Sequence, residues 1–239
     1  FFTQYIHPNL QSDKLSLLPM KFQLSLSISP PEVPIEHHHQ ILLSGSCFTE
    51  HMTGFMRRGK MNVMQNSHGI MFNPLSLSKA LHDVMQQKRY TASDLFLLNE
   101  YWNSWFHHSD FSFRDPQKTL EAINQEIVRQ HNFLQKADHV ILTLGSAFAY
   151  YHLEEKTYVS NNHRAPADWF RKDLLSIDTI QQELTSLSLA LRKFNPKLQL
   201  IFTVSPVRHI RDGIIENNRS KARLLEAVHS IPNTYYFPA

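Results

Sequence analysis

The chain has 239 residues, enough for one large domain or two small ones, and 42% of them are hydrophobic, as in a globular protein with a core. Its single cysteine, Cys47, excludes an internal disulfide bond, which suits a reducing compartment. The net charge is +3, and the longest basic cluster, at residues 56–60, is too short for a nucleic-acid surface. No apolar run approaches the ~18 residues of a membrane span, and no signal peptide is recognisable. We therefore expect a cytoplasmic protein with neither nucleic-acid nor membrane partners.

The N-terminal part of the chain shows little regular pattern. Residues 1–19 are expected to be upstream sequence or an irregular arm, and residues 20–239 a single domain. Residues 21–30 alternate polar and apolar side chains before two prolines, which indicates an edge strand or arm. The triplet His37-His38-His39 predicts a solvated turn rather than a metal site, because neighbours on an extended chain point to opposite faces. No other metal-ligand spacing occurs, so we expect neither a metal nor a cofactor.

Strands and helices are predicted to alternate along the rest of the chain. The predicted strands are 40–44, 60–65, 139–145, 198–206 and 233–239, and the predicted helices are 48–58, 75–88, 117–137, 176–194 and 217–230. Residues 139–145 (HVILTLG) form an apolar run typical of a strand that is buried on both faces, as in a parallel sheet. The alternation predicts a doubly wound α/β domain with a mostly parallel sheet. We expect the strand order 2-1-3-4-5, with the first strand at or next to the centre.

Two segments, 90–116 and 146–170, interrupt this alternation and are rich in aromatic residues. We interpret them as insertions that pack together into a lid over a cleft, since so many aromatic rings are rarely left on a surface. The aromatics concerned are Trp102, Trp105, Phe106, Tyr150, Tyr151 and Trp169.

Unusual polar residues follow the predicted strands at the points where they end. Ligands of doubly wound sheets bind beyond the carboxyl ends of the strands, so these residues indicate a site. They are Ser46 and Cys47 after the first strand, His68, Gly69 and Asn73 after the second, Gly145 after the third, and Arg208 and His209 after the fourth.

Several spaced motifs in this order resemble the bacterial GSCFA-domain proteins. They read GSCF (45–48), HGIMFNPLSL (68–77), WFHHSDFS (105–112), LTLGSAF (142–148), NNH (161–163) and SPVRHIRDG (205–213). That family is similar to the SGNH (GDSL) hydrolases, which are esterases and acyltransferases. The resemblance implies a flavodoxin-like, three-layer fold in which a nucleophile after the first strand attacks an acyl carbon.

Three interpretations of the nucleophile position are open, and in the third neither Ser46 nor Cys47 takes part in catalysis. If Gly45 matches the glycine of the SGNH motif, Cys47 stands at the nucleophile, and the start of a helix would favour its thiolate. If the serines are matched instead, Ser46 is the nucleophile and needs a separate base. In the third reading, Ser46 caps the helix and Cys47 fills an apolar gap.

Each of the remaining candidate residues also has two possible roles, one functional and one structural. The resemblance makes Gly69 an oxyanion donor, although it can equally serve the turn alone. Asn73 can bind substrate or cap the following helix. Gly145 fits the third motif, but the usual asparagine is missing after it, so Asn161 or His163 is a candidate substitute.

The best candidate for a base is His209. It has Arg208 beside it to hold an anionic substrate or orient the loop, although a plain loop histidine would look the same. His107 and His108 are expected to belong to the packing of the insertion.

The function expected from these residues is an SGNH-type acyl-ester hydrolase or acyltransferase, with acetylated carbohydrate as a candidate substrate. The alternative is an inactive module that binds a carbohydrate or other small polar ligand in the same cleft. The resemblance also implies an Asp-x-x-His segment beyond residue 239, so we expect the domain to be truncated at its C-terminus and to show little hydrolase activity. The acyl group, the acceptor and the oligomeric state do not follow from the sequence.

Overall fold

The computed structural model describes residues 27–208 and 210–239. Residues 1–26, which include the expected arm and most of the expected edge strand, lie outside the described residues, as does His209. The strands are β1 Gln40–Gly45, β2 Asn62–Gln65, β3 Phe96–Leu98, β4 Tyr101–Asn103, β5 His139–Leu144, β6 Phe148–His152, β7 Thr157–Val159, β8 Phe170–Leu174, β9 Gln199–Val204 and β10 Tyr235–Tyr236. The helices are α1 Cys47–Arg58, α2 Pro74–Gln86, α3 Pro116–Leu134, α4 Ile177–Phe194 and α5 Ile214–His229.

Five parallel strands form the main sheet in the order β10-β9-β5-β1-β2. Numbered as strands of this sheet alone, the order is 2-1-3-4-5, the flavodoxin-like arrangement that we predicted. The strand β1 lies next to the central strand β5, also as predicted. The carboxyl ends of β1, β5 and β9 therefore meet at one edge of the sheet.

Alternate residues of each central strand face opposite helical layers. Leu42, Val140 and Phe202 belong to the core beneath α2, α4 and α5. On the other face, Leu43 and Ile141 line an apolar groove that is bordered by α1 and the segment 28–35. The result is a three-layer α/β/α domain, which confirms the predicted fold class. Within the described residues, no helix is both long and apolar enough to cross a lipid bilayer.

Local signals in the sequence explain where the helices begin. The helix α2 starts at Pro74, which cannot donate a backbone hydrogen bond and is favoured in a first turn, and the side chain of Asn73 caps it. Asp115 and Ser176 cap α3 and α4 in the same way, each accepting a bond from a first-turn amide. The start of α5 was predicted wrongly, since it begins at Ile214 rather than residue 217.

The two insertions are small antiparallel sheets. The strands β3 and β4 form a hairpin whose turn residues, Asn99 and Glu100, both have positive φ, as the favoured two-residue hairpin turn requires. The second insertion forms a three-stranded sheet in the order β7-β6-β8. Neither sheet was predicted, because strands of three to five residues give too short a periodic pattern.

The insertions pack against each other, as we expected of the aromatic residues. Trp105 is buried, stacks on Phe96 with ring centroids 3.6 Å apart, and meets Phe170 of the second insertion edge-on at 5.7 Å. Phe106 and Tyr150 pack against the same cluster. Trp169 was placed wrongly, since 40% of its surface is exposed.

Candidate functional site

The turn after β1 presses closely against the end of β5. Gly45 has a φ of +141°, and a Cβ there would lie 2.1 Å from the carbonyl oxygen of Thr143, so the position requires glycine. The amide of Ser46 donates to the same oxygen at 3.1 Å. Gly145 completes the contact, because a Cβ on it would lie 3.2 Å from the Ser46 Cβ. Ser46 and Gly145 therefore meet at the carboxyl edge, as predicted.

Ser46 occupies the N-cap position of α1 but does not cap it. Its Oγ makes no capping hydrogen bond and is buried without any partner, and the residue is 0% exposed. The capping role that we considered for Ser46 is therefore wrong. Cys47, the first residue of α1, is half-buried and carries a free thiol.

Lys221 of α5 reaches this edge from the helical layer. Its ammonium donates to the carbonyl oxygens of Gly145 and Ser205, each at 2.7 Å, where β5 and β9 end. Burial lowers the pKa of Lys221 to about 8, and the nearby Cys47 opposes that shift. Cys47 thus lies within electrostatic range of a cation that sequence reasoning did not identify.

The loop after β2 joins the edge through backbone hydrogen bonds. The side chain of Asn66 accepts a bond from the amide of Gly45 at 2.8 Å. Gly69 has a φ of +82°, and a Cβ there would lie 2.2 Å from the His108 Cβ. Its amide already donates to the carbonyl of Asn66 at 3.1 Å, so this structure favours the turn role of Gly69 over the oxyanion role. Asn73 likewise uses its side-chain oxygen to cap α2, accepting from the amide of Ser76 at 2.9 Å.

A buried polar cluster packs beneath the loop after β2, on the side of α2. The Asp83 carboxylate accepts hydrogen bonds from Tyr90 at 2.7 Å and from Lys79 at 2.5 Å, and the Nε2 of His68 lies 3.5 Å away. Burial alone would raise the pKa of Asp83, but the bonds from His68 and Lys79 bring it down to about 2. The ring of His107 stacks on that of His68 with centroids 4.2 Å apart.

Both of these imidazoles are neutral at pH 7. Burial is the main cause that lowers the pKa of His68 and that of His107. Ser67 Oγ lies 2.8 Å from His68 Nδ1, so Ser67, His68 and Asp83 are ordered like a catalytic triad. Ser67 and His68 are only 2% and 1% exposed, which keeps a substrate from reaching them and assigns the cluster to holding the loop. The packing role predicted for His107 agrees with this placement.

A polar cleft of about 790 Å³ opens beside the turn after β1. Its walls come from the loop after β2, both insertions and the segment after β9. The residues that line it are Ile70, Phe72, Leu98, Asn99, Tyr101, Asn103, His108, Ser109, Ser112, Ser160, Asn161, Asn162, His163, Arg164 and Arg211. The insertions thus wall a cleft at the carboxyl edge, as expected of the lid.

Phe72 connects this cleft to the end of β5. It lines the cleft, and its ring atom Cδ1 would lie 2.9 Å from a Cβ on Gly145. Its carbonyl oxygen accepts bonds from the amides of Gly145 and Ser146, both at 2.8 Å. We expected Ser46, Gly69 and Gly145 to line the cleft themselves, which is wrong. Ser46 and Gly145 are buried, and Gly69 packs against His108.

Asn161 and His163 do line the cleft, on the loop that follows β7. The Nε2 of His163 donates to the carbonyl oxygen of Ser104 at 2.9 Å, which leaves Nδ1 as an acceptor without a partner. Burial lowers the pKa of His163, so the ring is neutral at pH 7. Arg208 is exposed and does not line the cleft, whereas Arg211 does. The role of His209 stays a prediction, since it lies outside the described residues.

At the opposite edge of the sheet, Glu36, His38 and His39 offer possible metal ligands. One ligand atom of each lies within 4.8 Å of the others. The solvated turn predicted for the three histidines is confirmed, since residues 37 and 38 form an exposed turn. Our argument against a metal site there assumed an extended chain and does not hold for a turn, which brings neighbouring side chains together. The cluster is largely exposed and is remote from the cleft, because it precedes β1 whereas the cleft lies beyond the carboxyl end of that strand.

The sequence model of the GSCFA family matches residues 40–239, from the first residue of β1 onward. The chain belongs to the GSCFA family. The match spans the candidate residues at the carboxyl edge and in the cleft, and it confirms the family that the motifs indicated.

One solved structure similar to this GSCFA chain is an acetyl xylan esterase, Est2A, from the rumen bacterium Butyrivibrio proteoclasticus. The identity is 11% and the TM-score 0.37, over 86% of this chain and 56% of the esterase. The chain therefore spans little more than half the length of that protein. A likeness this distant carries no argument about activity, and the fold assignment rests on the strand order. No curated protein matches the GSCFA chain.

Sequence reasoning missed two basic residues of the candidate site, Lys221 and Arg211. Lys221 lies in the middle of a predicted helix, where a lysine normally indicates a solvated face. Arg211 lies in the motif SPVRHIRDG, but only its neighbours Arg208 and His209 were considered as site residues. Only the packing of α5 against β9 shows that Lys221 reaches the carboxyl edge, and only the folded cleft shows the position of Arg211.

Proposed function

We propose that this protein is an acyl-ester hydrolase or acyltransferase with Cys47 as its nucleophile. The observation that carries the proposal is the position of Cys47. It is a half-buried thiol at the first turn of α1, at the carboxyl edge of the sheet, within electrostatic range of the Lys221 ammonium. Ser46 is the weaker candidate, because its Oγ is fully buried.

The first turn of α1 supports this chemistry. The amides of Cys47 and Phe48 have no partner one helical turn earlier, because they are the first two residues of the helix. The partial positive charge at the helix start and the Lys221 cation both stabilise negative charge that develops there during the reaction. Attack of the thiolate on an acyl carbon would place the developing oxyanion near these amides, which are the donors best suited to hold it.

The reaction then follows the usual two steps of covalent acyl transfer. Collapse of the tetrahedral intermediate breaks the ester bond, and the alcohol leaves after taking a proton. Water, or the hydroxyl of an acceptor, then attacks the thioester and restores the thiol. Transfer to water makes the protein a hydrolase, and transfer to a sugar hydroxyl makes it an acyltransferase.

The cleft favours a carbohydrate as the substrate. Its side chains are mainly amides and hydroxyls, which suit sugar hydroxyl groups, and Tyr101 and Phe72 add two partly exposed aromatic rings. Acetylated carbohydrate is therefore the substrate class that we propose.

A specific observation favours the second candidate, a binding module without chemistry. Among the described residues, neither Ser46 nor the Cys47 thiol is hydrogen-bonded to an imidazole or a carboxylate that could serve as its base. In this second reading the cleft holds a saccharide and releases it unchanged.

Hydrolysis of p-nitrophenyl acetate by the whole chain separates the two candidates. We expect Cys47→Ala to reduce the rate at least a hundredfold and Ser46→Ala to reduce it far less. Ser188→Ala is the matched control, because Ser188 Oγ is also buried without a partner but lies in α4. A wild-type rate no higher than that of Cys47→Ala would support the binding module. Loss of activity in Ser46→Ala alone would make Ser46 the nucleophile.

A further inference from the structure

The cleft contains basic side chains but no acidic one. Arg164 enters from the second insertion and Arg211 from the segment after β9, and no aspartate or glutamate is among the residues that line the cleft. Most of the other lining side chains are neutral amides, hydroxyls or apolar groups. The side chains that line the cleft therefore carry a net positive formal charge.

Neither guanidinium is neutralised by an acidic partner that the structure describes. Within the described part of the chain, no carboxylate forms an ion pair with Arg164 or Arg211, whereas Arg114 pairs with Glu100 at 2.8 Å. Asp168, four residues after Arg164, does not line the cleft. Asp212 and Asp110, which adjoin the lining residues Arg211 and Ser109 in the sequence, are engaged elsewhere. Asp212 binds Lys172 at 2.5 Å, and Asp110 lies 3.0 Å from His108.

The backbone that presents Arg164 is in an unfavourable conformation. His163 and Arg164 have φ values of +48° and +58°, in the left-handed region that residues other than glycine rarely adopt. Side-chain oxygens of Asn161 and Asn162 hold the strained turn, accepting from the amides of His163 and Arg164 at 3.0 and 3.3 Å. The carbonyl of Ser104 fixes the His163 ring from the other insertion. Strain that the surroundings maintain at a cleft wall is typical of a ligand-binding position.

We propose that Arg164 and Arg211 bind an anionic group of the saccharide, so that the substrate is an acetylated sugar bearing a carboxylate, phosphate or sulfate. This inference rests on the proposed function and adds the charge of its substrate. A planar guanidinium matches such oxyanions with two parallel hydrogen bonds, and it does so best where no protein carboxylate competes.

Calorimetric titration of the whole chain with three ligands tests the proposal. The first is an acetylated oligogalacturonate, the second its methyl ester, which has the same sugars without charge, and the third is a sulfated acetylated oligosaccharide. We expect the methyl ester to bind roughly 10- to 100-fold more weakly than the free acid. Tighter binding of the sulfated ligand than of the free acid would identify the anion as a sulfate-type ester rather than a uronate.

Substitutions locate the effect. Arg164→Gln and Arg211→Gln should each weaken binding of the charged ligand roughly 10-fold or more and leave the methyl ester unaffected. Arg57→Gln, an exposed arginine at the end of α1, should change neither. Equal binding of acid and ester, no binding of any ligand, or variants that bind like wild type would overturn the proposal.

The outcome also separates this inference from the proposed function. Charge-dependent binding without ester hydrolysis would leave the anion site standing and refute the enzyme. Hydrolysis of p-nitrophenyl acetate with no preference for charged saccharides would leave the enzyme standing and refute the anion site.

Discussion

The ammonium of Lys221 donates a hydrogen bond to the carbonyl oxygen of Gly145 at 2.7 Å, at the end of the central strand β5. A second bond of the same length reaches the carbonyl of Ser205, so one side chain joins the ends of two neighbouring strands. The first prediction concerns the pH dependence of stability that follows from this burial.

Burial lowers the pKa of Lys221 from 10.5 to about 8 in the folded protein. Between these two pH values the unfolded chain binds more protons than the native one, so the free energy of unfolding contributed by Lys221 rises with pH. We expect urea denaturation to show this rise in the wild type and not in Lys221→Met. Lys118→Met, an exposed change in α3, should keep the wild-type slope. Parallel pH curves for wild type and Lys221→Met would contradict the prediction.

The second prediction concerns the reactivity of Cys47. Iodoacetamide labels Cys47 specifically, because it is the only cysteine of the chain. Because Lys221 lies within electrostatic range of Cys47 and a nearby cation speeds attack by a cysteine, Lys221→Met should slow labelling several-fold at neutral pH. Mass spectrometry of timed samples measures the rate, with Lys118→Met as the control. If both variants are labelled at the wild-type rate, Lys221 does not act on Cys47.

The third prediction compares Gly45, at the end of β1, with Gly54, inside α1. Gly45→Ala would place a Cβ 2.1 Å from the backbone of β5 at a positive φ, so we expect a loss of about 3 kcal/mol or more in unfolding free energy. Gly54→Ala, inside α1, meets only the end of the flexible Arg58 side chain at 3.8 Å and should stabilise the protein by about 0.5–1 kcal/mol. Thermal unfolding of both variants checks the opposite signs, and equal shifts in Tm would count against the tight contact.

The fourth prediction concerns the buried carboxylate of Asp83. Its hydrogen bonds keep its pKa at about 2 in the folded protein, below the ordinary 3.8, so it stabilises the fold above pH 3.8. That contribution is lost as the pH falls from 3.8 to about 2. Asp83→Asn should cost about 3 kcal/mol at neutral pH and flatten the acid limb of the stability curve.

The control for Asp83 is Asp168→Asn, an exposed carboxylate in the second insertion. Urea denaturation at several pH values should find its curve unchanged from wild type. An Asp83→Asn variant as stable as the control would show that the cluster beneath the loop does not hold the fold together.

The sequence by itself determined the fold class and the edge where the site lies. The apolar run of β5 required burial on both faces, and a strand buried on both faces needs helices above and below it. In a parallel sheet every carboxyl end points the same way, so Ser46, Gly69 and Gly145 had to lie at one edge. Local chemistry, such as Pro74 and its capping Asn73, set the start of a helix.

Only the tertiary structure decided which residues of that edge are accessible. Side-chain burial depends on what packs against a turn from distant parts of the chain, which a local pattern does not contain. Phe72 and His108 pack against Gly145 and Gly69, while Lys221 reaches the turn from α5. Arg164 and Arg211 are 47 residues apart in the sequence. They share one cleft because the second insertion and the segment after β9 both form part of its wall. Their two positive charges come together only through such long-range packing, so the basic cleft exists only in the folded chain.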